Sequence, residues 1–322
     1  MKIAFAGKGG SGKTALTSLL ARHLAAQGLP VVAIDADINQ HLAGALGLDE
    51  PEGARLPALG AHLTEIKDYL RGDNPRIRSA ASMIKTTPPG RGSRLLRPTE
   101  DDPLHARFVR DVGGVRLMVT GPFQDDDLGV ACYHSKVGAV ELYLNHLVDG
   151  PGEYVVVDMT AGAGSFASGL FTRFDLTFLV AEPTRQGVGV YQQYRRHAQD
   201  HGVRLAVVGN KVQGPDDIMF LREQVGGDLL VCLEQSPFIK ELDRGRLLPL
   251  ERLERANVAA IELLRASADA VTRDWALFTR QARDFHLRNA RAWGNGAVGE
   301  DLTRQIDPDF TLDPDAVPAA PR

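Results

Sequence analysis

One segment near the N-terminus has the glycine, lysine and threonine spacing of a phosphate-binding loop. Gly7, Gly12, Lys13 and Thr14 match the pattern Gly-x-x-x-x-Gly-Lys-[Ser/Thr]. In such loops the glycines let backbone N–H groups turn inward around the phosphates, the lysine reaches the β- and γ-phosphates, and the threonine hydroxyl binds Mg²⁺. We therefore predict that ATP or ADP with Mg²⁺ is bound by the whole loop, Gly7-Lys8-Gly9-Gly10-Ser11-Gly12-Lys13-Thr14.

Aspartates follow two apolar runs further along the chain. Asp35 and Asp37 come directly after residues 31–34, and Asp158 comes directly after residues 155–157. Carboxylates at the C-terminal ends of parallel strands face the ligand crevice. Asp158 has the pattern of a Walker B aspartate that would hold Mg²⁺, and Asp35 would support its loop or the Mg²⁺ shell. The alternative for Asp158 is an aspartate that only caps a strand end.

Seven short apolar runs alternate with longer amphipathic segments, and the runs are residues 3–6, 31–34, 115–119, 154–157, 176–180, 205–208 and 229–233. Several are apolar at successive positions, which is typical of strands buried on both faces. The first amphipathic segment has leucines at helical spacing from Leu16 to Leu24, and Gly28 suits its C-terminal end. The pattern predicts an α/β fold with a mostly parallel seven-stranded sheet and helices on both faces.

Two regions depart from this alternation. Residues 51–110 contain Pro88-Pro89-Gly90-Arg91-Gly92, which predicts an inserted, partly helical segment with a flexible loop. After Pro249, apolar residues from Ile261 to Phe285 recur at spacings of three and four. That stripe indicates one long helix or two helices in line, which could pack on the sheet or pair with a second subunit.

These patterns divide the chain into three parts. Residues 1–250 form the predicted P-loop ATPase domain, which includes the insert 51–110. Residues 251–294 form a predicted C-terminal helical extension. Residues 295–322 contain four prolines and little apolar character, so we expect a flexible tail.

Composition narrows the class of protein. The net charge of -4 and the sequence pI of about 6.1 argue against a nucleic-acid partner, since such proteins are usually basic. The two cysteines are too few for a disulfide framework, which favours a cytoplasmic protein. No stretch approaches the roughly 20 apolar residues that cross a bilayer.

Lys8 directly follows the first glycine of the phosphate loop. A lysine here resembles the deviant Walker A loop of the MinD/ParA/nitrogenase-iron-protein group. The resemblance implies that Lys8 crosses the interface of an ATP-dependent homodimer, like an arginine finger; a solvated lysine at a loop edge is the alternative. It also implies that Asp37 orients the attacking water and joins Thr14 and Asp158 around Mg²⁺, although Ile38 stands where that group often has proline. The predicted catalytic residues are Lys8, Lys13 and Asp37.

The same resemblance implies roles for later residues. Residues 160–164, after Asp158, would form a second switch loop whose glycines suit movement with the γ-phosphate. Asn210, followed by Lys211, comes after the sixth apolar run, where an asparagine of the family reads the adenine edge. Pro237 comes after the seventh run and would pack near the base. Turn chemistry is the alternative for both sites.

The chain also resembles one branch of that group, the CooC-type ATPases that help load nickel into carbon monoxide dehydrogenase. The resembling pieces lie within residues 1–250 and are Val157-Asp158-Met159-x-Ala161-Gly162, Val180-x-Glu182-Pro183 and Val208-Gly209-Asn210-Lys211-Val212. That branch has a Cys-x-Cys at which two subunits share a metal, whereas this chain has Cys132 and His134. One cysteine and one histidine from each subunit could bind Zn²⁺ or Ni²⁺ at the dimer interface, or both could be loop residues without a metal.

Three functional hypotheses follow. The first is a dimeric ATPase, slow without its partner, that matures a metal centre or escorts an unidentified client protein. The second is a MinD/ParA-type positioning or partition ATPase; the cluster of Arg91, Arg94 and Arg97 keeps DNA binding open, while the proline-rich tail is unsuited to a membrane helix. The third is a small-substrate kinase or ligase of the same fold, such as dethiobiotin synthetase.

Overall fold

A mostly parallel eight-stranded sheet organises the chain. The structure is a computed structural model that describes residues 1–122, 133–159, 166 and 169–313, with only the backbone described for residues 133–135. The strand order is β3-β4-β2-β5-β1-β6-β7-β8, and every neighbouring pair is parallel except β3 with β4. The strands are β1 (Lys2–Gly7), β2 (Val31–Ala36), β3 (Arg110–Val112), β4 (Val115–Val119), β5 (Tyr154–Met159), β6 (Leu176–Ala181), β7 (Leu205–Val212) and β8 (Leu229–Glu234).

The α/β fold predicted from the apolar runs is confirmed, with one strand more than predicted. All seven runs are strands of the sheet. The additional strand, β3, is a three-residue edge strand whose Arg110 and Asp111 are exposed, so it carries no apolar run that sequence analysis could detect. It turns into β4 through Gly113 and Gly114 and pairs with it antiparallel.

Helices cover both faces of the sheet. They are α1 (Lys13–Ala26), α2 (Leu42–Leu46), α3 (Glu50–Ala54), α4 (Leu63–Arg71), α5 (Pro103–Phe108), α6 (Tyr133–His146), α7 (Arg185–Ala198), α8 (Pro215–Val225), α9 (Pro237–Asp243), α10 (Arg255–Asp269), α11 (Trp275–Asn289) and α12 (Asn295–Val298). Within the described ranges, none of these helices combines the length and apolar character needed to cross a membrane.

The core has two large parts, one on each face of the sheet. Because successive strand residues point to opposite faces, β1 contributes Ile3 and Phe5 to one part and Ala4 and Ala6 to the other. Helices α1 and α10 close the face of Ile3, while α4, α6 and α7 close the opposite face. Buried apolar layers on both faces hold the ends of the parallel strands at one edge of the sheet.

The insert is part of this core. Ile66 and Leu70 of α4 are fully buried against α6 and the sheet. Residues 86–90 are also buried, and Asn74 Nδ2 donates a hydrogen bond to Ser93 Oγ at 2.9 Å beside them. Residues 86–90 therefore form turns that other parts of the chain cover, whereas Arg91 and Gly92 of the same proline-glycine stretch are exposed.

The C-terminal apolar stripe belongs to two helices that pack on different faces of the sheet. Ile261 and Leu264 of α10 join the core on the α1 side. Phe285 of α11 joins the core on the opposite side. Residues 270–274 connect the two helices and carry the chain from one face to the other. The structure thus has two helices instead of one long helix or two helices in line. Both pack within the chain, on opposite faces of the sheet.

Residues 295–313, the described part of the predicted tail, pack against the insert. Leu302 and Leu312 are buried. The Thr87 hydroxyl donates a hydrogen bond to Gln305 Oε1 at 3.1 Å, and Gln305 Nε2 donates to the Ser82 carbonyl at 2.7 Å. The remaining residues of the predicted tail, 314–322, lie outside the described residues.

Candidate nucleotide and magnesium site

The phosphate loop joins β1 directly to α1. Gly12 has φ of 96°, a left-handed conformation, and a side chain there would lie 2.2 Å from Asn210 Nδ2. A side chain at Gly7 would lie 2.4 Å from the Val180 carbonyl oxygen. Only glycine therefore allows the loop to close against β6 and β7. The backbone N–H groups at the start of α1 are left for a phosphate, since no side chain caps this helix.

Four predicted residues meet at the C-terminal edge of the sheet. Lys13 Nζ lies 3.5 Å from Asp37 Oδ2, and both side chains are almost fully buried. The Thr14 hydroxyl donates a hydrogen bond to Asp158 Oδ2 at 2.5 Å. Strand β2 ends one residue before Asp37 and lies beside β5, which carries Asp158, and their register pairs Asp35 with Asp158. The structure thus brings together the lysine, the hydroxyl and the two carboxylates that the sequence placed on three separate elements.

The chemistry around Asp158 suits a magnesium ion. Its Oδ1 atom is buried and has no hydrogen-bond partner in the described part of the chain. Burial raises the pKa of Asp158 to about 7, against the lowering effects of Thr14 and Lys13. Burial and the Asp158 carboxylate together raise the pKa of Asp35 well above its usual range. A hard cation that takes oxygen ligands would satisfy the free oxygen and offset the cost of burying these charges.

The loop that carries Asp37 is fixed by short-range hydrogen bonds. Asp35 Oδ1 accepts a hydrogen bond from the Asp37 N–H at 3.1 Å, and Asp35 Oδ2 accepts one from the Leu42 N–H at 2.8 Å. Asp37 Oδ1 accepts hydrogen bonds from the backbone and the side chain of Asn39, both at 3.0 Å. Its other oxygen faces Lys13. Ile38, which replaces the proline of the resembling group, is partly exposed and leaves this pattern of contacts intact.

Residues of β7 hold the phosphate loop from the other side. Asn210 is buried, and its Nδ2 donates a hydrogen bond to the Ser11 carbonyl at 2.7 Å. Lys211 has φ of 59°, which is uncommon for a residue other than glycine. Its Nζ donates to the Gly10 carbonyl at 2.6 Å and pairs with Glu182 at 2.6 Å. Both residues therefore support the loop that would hold the phosphates.

Lys8 projects from the phosphate loop toward the start of α7. Its Nζ donates a hydrogen bond to Gln186 Oε1 at 2.7 Å. The contact is exposed to solvent, so the lysine is held by a surface hydrogen bond and not by packing.

Comparison with known proteins assigns the family. Residues 2–226 match the family described as the CobQ/CobB/MinD/ParA nucleotide binding domain. The chain belongs to this family. It is also 31% identical over 250 residues to the carbon monoxide dehydrogenase accessory protein CooC of Rhodospirillum rubrum, a match that covers 77% of this chain and 88% of that protein. The predicted membership of the MinD/ParA-like superfamily, with similarity to CooC, is confirmed.

Solved structures agree with this assignment at the level of the fold. The cell division ATPase MinD of Pyrococcus furiosus has a TM-score of 0.53 and 17% identity, and the match covers 83% of this chain and 99% of that one. A ParA family ATPase from Chlorobium tepidum has a TM-score of 0.51 and 13% identity, and the match covers 87% of this chain and 96% of that one. The sheet and its phosphate loop are thus those of a CobQ/CobB/MinD/ParA nucleotide-binding protein.

One further predicted site residue, Pro237, lies among the described residues, and several others do not. Pro237 is exposed at the first position of α9, after Ser236, whose hydroxyl accepts a hydrogen bond from the Ile239 N–H at 3.0 Å. Cys132 and the switch residues 160–164 lie outside the described residues, as does the side chain of His134. Elsewhere in the described chain, no group of three or more histidine, cysteine, aspartate or glutamate side chains could hold a metal ion.

Sequence reasoning missed three residues that contact the site. Gln186 binds Lys8, Glu182 pairs with Lys211, and Gln40 contacts the backbone of Asp37. Glu182 stands within a segment that resembles the CooC-type branch, which was a signal of its importance but not of its partner. The two glutamines belong to no motif, so only their positions in the fold connect them with the phosphate loop.

Proposed function

We propose that this protein is a switch ATPase that binds Mg-ATP, dimerises in the ATP state and serves a client protein as a CooC-like accessory factor. The observation that carries the proposal is the arrangement at the sheet edge. Thr14 and Asp158 meet there, Asp158 Oδ1 has no hydrogen-bond partner among the described residues, and Lys13 meets Asp37 next to them. Membership of the nucleotide-binding family and the similarity to CooC support it.

Each residue has a defined part in the proposed reaction. The phosphate loop and Lys13 hold the β- and γ-phosphates, and Asp37 orients a water molecule toward the γ-phosphorus. The water oxygen bonds to phosphorus while the bond to the β–γ bridging oxygen breaks, so ADP leaves with that electron pair and the water's protons pass to phosphate and solvent. Mg²⁺, held by Thr14 and Asp158, supplies charge neutralisation when it is bound.

Dimerisation would complete the site. Lys8 lies at the solvent-exposed side of the phosphate loop, where a second subunit could approach it. In the proposed ATP state, the Lys8 side chain gives up its hydrogen bond to Gln186 and contacts the nucleotide bound to the partner subunit. There it stabilises the negative charge of the phosphates. ATP shifts the population toward the closed dimer because it binds that state more tightly. Hydrolysis removes this preference, and the dimer opens. Adenine recognition by Asn210, with Lys211 and Pro237 nearby, belongs to the same proposal.

The proposed client is a protein or metal centre and not DNA. The arginine cluster that kept the partition hypothesis open is engaged within the chain. Arg91 lies near Asp307 and Asp309, at 3.8 and 3.6 Å. Arg94 lies over the ring of Tyr69, and Arg97 lies 3.9 Å from Glu100. Each arginine therefore already has a partner, which weakens the case for a phosphate-binding patch.

The first test is light scattering on the size-separated Asp37→Ala protein, with and without ATP and Mg²⁺, with metal analysis of the eluted peak. An ATP-dependent dimer with about one metal ion per two chains would support a bridging site at Cys132 and His134 and a metal-maturation role. A metal-free dimer would support the switch ATPase with a protein client. The absence of any ATP-dependent dimer would contradict the proposal.

Two variants test the assigned residues separately. Lys13→Ala is expected to abolish ATP binding, because the buried ammonium group faces the phosphate position. Asp37→Ala is expected to bind ATP normally and to lose hydrolysis. The exposed Lys240→Ala on α9 is the matched control for the lysine change. Normal hydrolysis by Asp37→Ala would overturn the role given to Asp37.

A further inference from the structure

Gln40 adopts an unusual backbone conformation at the end of the loop that carries Asp37. Its φ is 52°, in the left-handed region that residues other than glycine seldom occupy. Such a conformation persists only when surrounding contacts determine it, and it is frequent at functional sites. Glycine would adopt it without strain. The chain has a glutamine instead, whose side chain makes hydrogen bonds that glycine could not make.

The amide nitrogen of Gln40 contacts both aspartates of the loop. Nε2 donates a hydrogen bond to the Asp37 carbonyl oxygen at 2.5 Å and lies 3.3 Å from Asp35 Oδ1. Asp35 Oδ1 also accepts the Asp37 N–H. The backbone of Asp37 is therefore held at two points. Its carbonyl oxygen accepts from the Gln40 amide, and its N–H donates to Asp35.

The amide oxygen of Gln40 reaches a different element. Oε1 accepts a hydrogen bond from the Gly121 N–H at 2.9 Å, at the start of the connection between β4 and α6. Gly121 packs closely on Ala58, because a side chain on it would lie 2.4 Å from the Ala58 side chain. One residue earlier, the Thr120 N–H donates to the Asp35 carbonyl oxygen at 2.9 Å. The glutamine is thus anchored to a fixed point of the sheet edge.

We propose that Gln40 is a positioning residue for ATP hydrolysis, which holds Asp37 at a set distance from Lys13 and ties it to the connection between β4 and α6. The inference rests on the proposed role of Asp37. A carboxylate that orients water must be held closely, since a shift of about 1 Å can cost about a hundredfold in rate. Gln40 donates to the backbone carbonyl of Asp37, while Asp37 Oδ2 faces Lys13.

The test compares three substitutions of Gln40 in the full chain. Gln40→Met keeps the length and the backbone strain but removes the side-chain contacts to Asp35, Asp37 and Gly121. Gln40→Gly removes the strain and the side chain together. We expect kcat to fall about tenfold to a hundredfold in both, with KM for Mg-ATP within about twofold of the unsubstituted protein. The exposed Gln192→Met on α7 is the matched control, and its kcat should be unchanged.

Gln40→Glu separates the donor of the side chain from its acceptor. The glutamate keeps the side-chain length and an acceptor for the Gly121 N–H, but its carboxylate cannot donate to the Asp37 carbonyl oxygen. The loss of that one donor should lower kcat about tenfold or more, with KM for Mg-ATP within about twofold of the unsubstituted protein.

Each outcome decides the inference. Gln40→Met or Gln40→Gly with unchanged kcat would overturn it, as would equal losses in kcat and ATP affinity, which indicate a general structural role. An unchanged kcat for Gln40→Glu would overturn it even if the other variants fail to fold. If Asp37→Ala itself hydrolyses ATP normally, the proposed function fails first. If Asp37→Ala is inactive and Gln40→Met is fully active, only the role of Gln40 fails.

Discussion

Lys8 Nζ and Gln186 Oε1 lie 2.7 Å apart within one chain. Any contact of Lys8 with a second subunit must first break this hydrogen bond. We therefore expect Gln186→Ala to lower the ATP concentration needed for half-maximal dimerisation by about two- to tenfold, the usual range for one such bond. Light scattering during an ATP titration measures the effect. Gln192→Ala, an exposed glutamine on the same helix, is the control, and an unchanged midpoint for Gln186→Ala would show that the contact does not restrain Lys8.

Asp158 gives the metal-free protein a distinctive pH dependence. Its pKa in the folded state is raised to about 7, above the value of about 3.9 expected in the unfolded chain. The folded state therefore binds more protons between these values, and the carboxyl costs more stability as the pH rises toward 7.

Asp158→Asn should remove that cost while the Asn oxygen still accepts from Thr14. In EDTA, the excess stability of the variant should grow between about pH 4 and pH 7 and stay constant above, as measured by urea unfolding. The Mg²⁺ dependence of ATP affinity should be lost in the same variant. A constant difference across the pH range would contradict the raised pKa.

Asn210 should matter for nucleotide affinity through the phosphate loop as well as through the base. Its Nδ2 bond to the Ser11 carbonyl is buried, so Asn210→Ala leaves an acceptor unsatisfied. We expect ADP affinity to fall about fivefold or more, and the affinity for inorganic triphosphate, which has no base, to fall in parallel. Calorimetry with both ligands measures this, with the exposed Gln224→Ala as control. A loss confined to ADP would assign Asn210 to the base alone.

Leu302 tests the packing of the C-terminal segment. Its side chain is 1% exposed and lies against Ile84 and Ala290. Leu302→Ala should lower the free energy of unfolding by about 2–4 kcal/mol. Leu263→Ala is the matched control, because that leucine is 41% exposed and its truncation should cost about 0.5 kcal/mol or less. Equal urea midpoints for the two variants would mean that the segment detaches in solution.

The sheet and the phosphate site could be predicted because their signals are local. The strands are continuous apolar runs, and the loop at Gly7 to Thr14 lies between a strand and a helix. The roles of Gln40 and Gln186 could not be predicted in this way. Gln186 meets Lys8 across 178 residues of sequence, and Gln40 meets Gly121 across 81. Neither glutamine is part of a periodic sequence pattern, so only the assembled fold shows which residues they contact.

The same reason explains why the packing of two segments was not predicted from the sequence. Residues 86–90 and 295–313 contain few large apolar side chains, which reads as loop or tail. The two segments meet through polar groups, as Thr87 does with Gln305, and residues 295–313 add the buried side chains of Leu302 and Leu312. A pattern of isolated apolar residues has no period, so hydropathy cannot distinguish it from an unpacked chain.

The bond between Thr87 and Gln305 joins positions 218 residues apart, and Asp307 receives the Arg91 N–H beside it. The insert and the C-terminal segment therefore depend on each other, because each supplies hydrogen-bond partners for polar groups of the other. Removal of either segment would therefore leave polar groups of the other without their hydrogen-bond partners. A chimaera that grafts either segment alone onto a relative would inherit half of an interface.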